Sequence, residues 1–310
     1  MPAHIPWPEK RRFAFSVFDD PDGQTPETTE AVYGFLAGAG FRTTKGVWPL
    51  APTRTPSDLG ATCGDALYEQ LVLRLQAAGF EIGFHNATSH TSGRDETIRG
   101  IEAFARLFGS YPATMANHYF CQEDMYWGDD RLSGWNRAIY NFATLGKNRR
   151  CSFGHVPDHP CFWGDVCRER IKYVRNFVFP QLNTLKACPW MPYHDPARPF
   201  VNLWFAASDG ANVRLFNKRL SEANQEKLEE EGGACIMYAH FGHGFYRDGK
   251  LDAHFRSLIE RLGRRNGWFV PVATLLDFLL DHRGRTVLTN ARRSELERRW
   301  LWYKLRSGTS

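Results

Sequence analysis

The chain has 310 residues, 43% of them hydrophobic, and a net charge of +5. That apolar fraction supports one large core and excludes a disordered chain, and the length suits a single barrel of alternating strands and helices. Five surplus positive charges are too few to point to nucleic acid, so no nucleic-acid partner is expected.

No stretch approaches the roughly 20 apolar residues that span a bilayer, and the opening MPAHIPWPEKRR lacks the apolar run of a secretion signal. The expected location is the cytoplasm. Seven cysteines, an odd number with no small disulfide framework, agree with it. Cys151, Cys161 and Cys167 fall near His155 and His159, but their spacings are wide and no Cys-x-x-Cys pair occurs. Reduced cysteines in an insertion are expected there, in preference to a structural zinc.

In chain order, Arg12 to Phe18 (RFAFSVF) reads as a buried strand. Thr25-Pro26-Glu27 is a helix start, with Thr as cap and Pro in the first turn, and Val32, Phe35 and Leu36 form its apolar stripe. A second helix runs from Asp65 to Ala78, with Leu67, Leu71 and Leu75 on one face and Gly79 as its stop. Phe80 to Phe84 is the next strand, and His85 to Gly93 a polar loop. A third helix carries Ile98, Ile101, Phe104 and Phe108, and Ala113 to His118 is the strand after it. Strand and helix alternate, with functional-looking residues just after the strand ends. This pattern predicts a parallel α/β fold with its site at the C-terminal edge of the strands.

From Tyr119 to Leu220 the periodicity is poor, and Trp, Pro, Cys, His and Asn are frequent. This stretch reads as elaborated loops over the mouth, with strands embedded at Tyr173 to Phe179 and Val201 to Ala206. Regular order returns with a charged helix (Ser221 to Glu231), a buried strand (Ala234 to His240), a helix (Leu251 to Arg264), a strand (Trp268 to Val272) and a helix (Thr274 to His282). No linker is evident, so residues 1–290 read as one domain, followed by a basic tail, 291–310.

Three features carry candidate chemistry. Asp19 and Asp20 directly follow a buried strand, where adjacent side chains point in different directions. Two close carboxylates repel unless a cation is present. A divalent metal resolves this, with one carboxylate as ligand and the other facing water. Alone, Asp-Asp-Pro-Asp-Gly is equally good turn composition. His85 and His90 share the loop after a strand, and two imidazoles with one carboxylate make a common catalytic zinc set. His240 ends an apolar strand and can protonate a leaving group.

The combination resembles the polysaccharide deacetylases of carbohydrate esterase family four. Their first motif, Thr-Phe-Asp-Asp-Gly, is matched in expanded form by Val17-Phe18-Asp19-Asp20-Pro21-Asp22-Gly23. Their second, His-Ser/Thr-x-x-His after Glu-Ile-Gly, is matched by Glu81-Ile82-Gly83-Phe84-His85 to His90, with one extra residue between the histidines. Leu-x-His is matched loosely by Tyr238-Ala239-His240. The resemblance spans Phe13 to about Leu280. It implies a deformed (β/α)7-type barrel of parallel strands with long loops over the C-terminal mouth. It implies Asp19 as general base, His240 as general acid, and Asp20, His85 and His90 as ligands of a divalent metal ion, zinc being expected. The family's motif arginine is missing. Asn117 and His118 take over its region in this reading, or Arg175 reaches in from the next strand. The Asp-and-Trp motif has only Asp195 and Trp204 as candidates. Trp127, Trp163 and Trp190 are candidate sugar-stacking residues.

The expected function is metal-dependent removal of an acetyl group from an N- or O-acetylated sugar or glycan. The alternatives are an amide hydrolase of allantoinase type on the same fold, and a glycan-binding relative without turnover. The tail, with Arg292, Arg293, Arg298 and Arg299 beside Trp300 and Trp302, suggests peripheral contact with an anionic membrane. Packing of a helix on the barrel is the plainer expectation for it.

Overall fold

The computed structural model describes residues 5–308, so the first four residues of the N-terminal stretch lie outside the described residues. Seven parallel strands close into a ring: β1 (Phe13–Asp19), β2 (Thr44–Val47), β3 (Glu81–Phe84), β4 (Thr114–Met115), β5 (Tyr173–Phe179), β6 (Leu203–Gly210) and β7 (Ala234–Ala239). Closure is made by β7 on β1, where Ala14 faces Ala234 and Asp19 faces Ala239, and by β6 on β7, where Gly210 faces Ala239. The expected deformed barrel of seven parallel strands is therefore the architecture found. Gly267–Phe269 adds to the base of β1 outside the ring.

The strands are almost continuously apolar because both of their faces are buried. On β1 the two faces separate by residue parity. Phe13, Phe15 and Val17 pack outward with Val32, Tyr33 and Leu36 of helix α1 (Pro26–Gly38). Ala14 and Phe18 belong to the other core, inside the ring. Two glycines make room there. A Cβ at Gly46 of β2 or Gly83 of β3 would stand 3.1 or 2.9 Å from the Phe18 ring.

Helix starts follow the sequence closely. The Thr25 side chain accepts from Thr28 N at the head of α1. Asp65 accepts from Leu67 N and Tyr68 N at the head of α2 (Ala66–Ala77). The face of α2 differs from the expected one. Tyr68, Leu71, Val72 and Leu75 are buried and Leu67 is exposed, because Leu67 lies about 90° around the helix from the centre of that stripe. Helix α3 (Arg94–Phe108) ends at Gly109 with φ +78°, a left-handed cap that suits glycine.

The loop between β4 and β5 contains two helices, Gly134–Ala143 and Gly164–Arg170. All seven cysteines are free thiols. His155 stacks on Tyr126 and His159 on Phe153. Among the described residues, no group of side chains able to hold a metal contains cysteine.

The stretch read as a basic tail forms a helix, Asn290–Ser307, packed on β5 and on helix Gly134–Ala143. Trp300 is 1% exposed and lies against Phe177 and Tyr140, whereas Trp302 is 59% exposed. Glu297, fully buried, accepts from Ser133 N, Asn136 Nδ2 and Arg198 Nη2. Among the described residues no helix is long and apolar enough to cross a membrane.

Trp300→Ala should cost about 3–5 kcal/mol in urea unfolding, the range for a buried large-to-small change. Trp302→Ala should stay within about 0.5 kcal/mol of the parent chain. Equal losses at both positions would contradict this packing of the helix.

Candidate active site

The parity of β1 carries past its end. Asp19 continues the outward series and Asp20 the inward one. Asp19 Oδ1 accepts from Phe241 N at 2.8 Å, and Oδ2 meets Tyr33 Oη at 2.9 Å, Lys45 Nζ at 3.2 Å and Gln24 Nε2. Asp19 and Lys45 are both fully buried. Burial pushes the Asp19 carboxyl up, and the Lys45 charge with three hydrogen bonds only partly offsets it. Asp19 is not among the residues that line the mouth.

Asp20 does line it. The Arg175 guanidinium grips it in a fork, Nη1 to Oδ1 at 2.9 Å and Nη2 to Oδ2 at 2.6 Å. Burial alone would lower the Arg175 pKa, but the Asp20 charge and hydrogen bonds reverse that and raise it. The turn Pro21–Gly23 then brings Asp22 back over the mouth, with Gly23 at φ +68°. No side chain fits at Gly242 opposite, where a Cβ would stand 2.3 Å from the Gly23 backbone.

Asp22, His85 and His118 converge. His85 Nε2 lies 3.2 Å from His118 Nδ1 and 3.4 Å from Asp22 Oδ2, and His118 Nδ1 lies 3.3 Å from Asp22 Oδ1. Four ligands at about 2.0–2.1 Å around a tetrahedral ion stand about 3.3–3.4 Å apart. The two ring nitrogens and the Asp22 carboxylate, which turns Oδ2 to His85 and Oδ1 to His118, thus stand at separations suited to one side of such a site. Asp22 Oδ2 is buried without a hydrogen-bond partner. Burial works to raise the Asp22 pKa, but the close approach of the His118 and His85 rings and the charges of His85 and His240 outweigh it, leaving the carboxyl well below its usual range. Burial pulls His118 down, toward the neutral imidazole that binds metals. Its other nitrogen, Nε2, meets Ser57 Oγ at 2.7 Å, and Ser57 Oγ donates to Ser89 O. That relay fixes the ring and its tautomer.

Asn86 links the loops that carry the two histidines. At φ +59° its side chain donates to Asp124 Oδ1 and Glu123 Oε1 and accepts from His118 N. Burial pushes Glu123 up to about 8. Asn117 lines the mouth, but both ends of its amide are engaged with the Met125 backbone.

His240 stands across the cavity. Its Nδ1 is 2.8 Å from Ala211 O, and its Nε2, on the pocket side, is 3.1 Å from Tyr238 Oη, 3.9 Å from Asp20 Oδ2 and 3.7 Å from Asp22 Oδ2. Asp20, Asp22 and His240 form a second group that could hold an ion. The cavity measures about 380 Å³ and is also lined by Phe120, Trp127 and Lys304. Burial, together with nearby Arg131, pulls the Lys304 pKa down.

Several residues singled out in the sequence lie elsewhere. His90 belongs to neither group. Its Nε2 accepts from Thr53 N at 3.1 Å and its Nδ1 meets Thr91 O at 3.0 Å. Trp163 is fully buried, donating to Glu123 O. Trp190 is partly buried against the core and is not part of the mouth. Asp195 pairs with Arg198 and Arg293, and Trp204 is buried. Asp22 was missed as a site residue. Its signal was the third carboxylate of Asp-Asp-Pro-Asp-Gly, read as turn composition.

No family model matches the sequence, and no curated protein is similar to it by sequence. Solved structures are similar in fold. A protein assigned as a polysaccharide deacetylase from Mycobacterium smegmatis superposes with a TM-score of 0.54 at 13% identity, over 94% of this chain and 98% of that one. Another so assigned, from Pseudomonas aeruginosa PAO1, gives 0.54 at 12% identity, over 91% and 96%. PuuE allantoinase gives 0.53 at 13% identity, over 92% and 96%. The chain shares the barrel of these hydrolases.

Lys45→Met should destabilise the fold by about 3–5 kcal/mol by leaving Asp19 buried and unpaired. A carboxyl whose pKa is raised on folding takes up a proton, so the stability it allows is present in acid and is lost as pH rises above the ordinary aspartate range. The deficit of Lys45→Met should therefore be smallest in acid and grow toward neutral pH. A deficit that does not vary with pH in urea titrations would refute this account of Asp19.

Proposed function

We propose that the protein is a divalent-metal-dependent hydrolase of the polysaccharide deacetylase type, acting on an N- or O-acetylated sugar. The observation that carries this is the convergence of the Asp22 carboxylate with His85 Nε2 and His118 Nδ1, at separations of 3.2–3.4 Å that suit a zinc ion, beside a carboxylate held by an arginine. This choice of ligands is favoured over the Asp20–Asp22–His240 group because both Asp20 oxygens already accept from Arg175. The two roles expected of Asp19 and Asp20 thus move along the chain to Asp20 as base and Asp22 as ligand, and His118 takes the place expected of His90.

A divalent ion at this position supplies Lewis acidity, polarising the acyl carbonyl and easing proton loss from water. The Arg175 fork orients Asp20, and each of its oxygens retains a lone pair for the proton of the attacking water. His240, fixed at Nδ1 by Ala211 O, presents Nε2 to protonate the departing nitrogen or oxygen. Trp127 offers a flat apolar face at the rim. Arg131 lies over the same ring, 3.2 Å from its centre.

One observation supports a second reading. The cavity falls toward the small end of the usual range for small-molecule sites, about 300–1,000 Å³. A compact cyclic amide, the substrate class named for the allantoinase of similar fold, would suit it as well as one sugar unit. Acetate release from N-acetyl sugars, set against ring opening of small cyclic amides, separates the two. Binding of sugars with no turnover in any metal form would favour a glycan-binding role instead.

Metal-stripped protein should take up about one zinc per chain in calorimetric titration. Asp22→Asn and His118→Ala should weaken uptake at least about 100-fold, and His90→Ala should leave it unchanged. Asp20→Asn should retain the metal and lose turnover by about 100-fold or more. Wild-type zinc affinity in Asp22→Asn would overturn the assignment. His240→Asn should slow amide cleavage by about 100- to 10,000-fold and have little effect on an activated aryl acetate, whose leaving group needs no proton. Equal losses on both substrates would remove His240 as the acid.

A further inference from the structure

Helix Gly134–Ala143 and the turn after it have an unusual surface. The helix buries Asn136 and Tyr140 against the C-terminal helix. Its solvent side carries Trp135, Ile139 and Phe142 at i, i+4 and i+7, one continuous stripe. Trp135, Phe142 and the following Leu145 are each 85% exposed. The apolar face of this amphipathic helix therefore points away from the core, which is the arrangement of an interaction surface.

Charge says what covers it. Residues 134–150 hold Arg137, Lys147, Arg149 and Arg150 and no acidic residue. Arg137 pairs with Asp129 and Asp130. Lys147, Arg149 and Arg150 make no salt bridge among the described residues. A basic segment with Trp, Phe, Leu and Ile on one face has the composition of a helix that lies in a bilayer interface. Two copies of the chain meeting here about a twofold axis would bring these cations together with no carboxylate in the segment to pair them.

The patch also reaches the active site. Phe120 and Asn148 wall the catalytic cavity, and both wall the adjoining depression formed with Ala143, Thr144, Leu145 and Lys147. Phe120 is held outward, mostly exposed, at φ +61°, a backbone conformation strained for a bulky side chain.

We infer that residues 134–150 dock the protein on an anionic lipid bilayer, with Trp135, Ile139, Phe142 and Leu145 inserted and Lys147, Arg149 and Arg150 at the headgroups. Docking there sets the mouth beside the membrane surface. This surface differs from the one the sequence suggested, the C-terminal helix, where Trp300 is buried and Trp302 exposed.

The test is co-sedimentation of the full chain with vesicles of phosphatidylcholine alone and of phosphatidylcholine mixed with phosphatidylglycerol. Binding should need the anionic lipid and weaken with salt. Trp135→Ser with Phe142→Ser, and separately Lys147→Glu with Arg149→Glu, should each reduce it about tenfold or more. All four side chains are exposed, so thermal unfolding should be unchanged. Absence of binding to the mixed vesicles, or binding unaffected by both double variants, would overturn the proposal. So would light scattering that showed a dimer abolished by Trp135→Ser with Phe142→Ser, which would assign the stripe to self-association.

Discussion

Asp19 and Asp20 are consecutive and both buried, yet they point to opposite sides of the barrel wall, and one cation cannot serve both. An unpaired carboxylate in either place would cost several kcal/mol or take up a proton. The fold therefore supplies two cations from different strands, Lys45 of β2 outside the ring and Arg175 of β5 inside it. The same two residues tie β1 to the end of β7. Asp20 N donates to Ala239 O at 2.8 Å, and Phe241 N donates to Asp19 Oδ1. His240 is enclosed between those two bonds, so its position follows from how the pair of carboxylates is satisfied.

The remaining groups reach the mouth from other strand ends. His85 follows β3, His118 lies just beyond β4, and Asn86 joins their loops through Glu123 and Asp124. Parallel strands deliver these groups to one rim without any one segment having to contain the site. Such a rim is stiff at its base and variable above. Here the β4–β5 loop and the C-terminal helix together bring Phe120, Trp127 and Lys304 to the cavity. The C-terminal helix is thus a wall of the pocket as well as a cover for β5.

Fold elements were legible where periodicity and capping residues agreed. Thr25 and Asp65 head helices, Gly109 ends one, and β1, β5 and β7 fall where apolar runs occur. The stripe on α2 was misplaced because Leu67 looks as apolar as Leu71, and only packing shows which leucine faces the core. The site was legible in part. Asp20, His85 and His240 stand at the cavity, as do Asn117, His118, Trp127 and Arg175, and Arg175 reaches Asp20. His90 and Trp163 do not line it.

By itself, the sequence determined the alternation of strand and helix, the place of the acidic turn and histidines at strand ends, and hence the barrel and the polar groups at its rim. These are local properties, written in period, caps and turn residues. Only the tertiary structure decided which aspartate faces the cavity, because on a strand buried on both sides either parity is apolar and the pattern is silent. It also decided which second histidine joins His85. Sequence spacing measures distance along one loop, and His118 reaches Asp22 from the neighbouring strand.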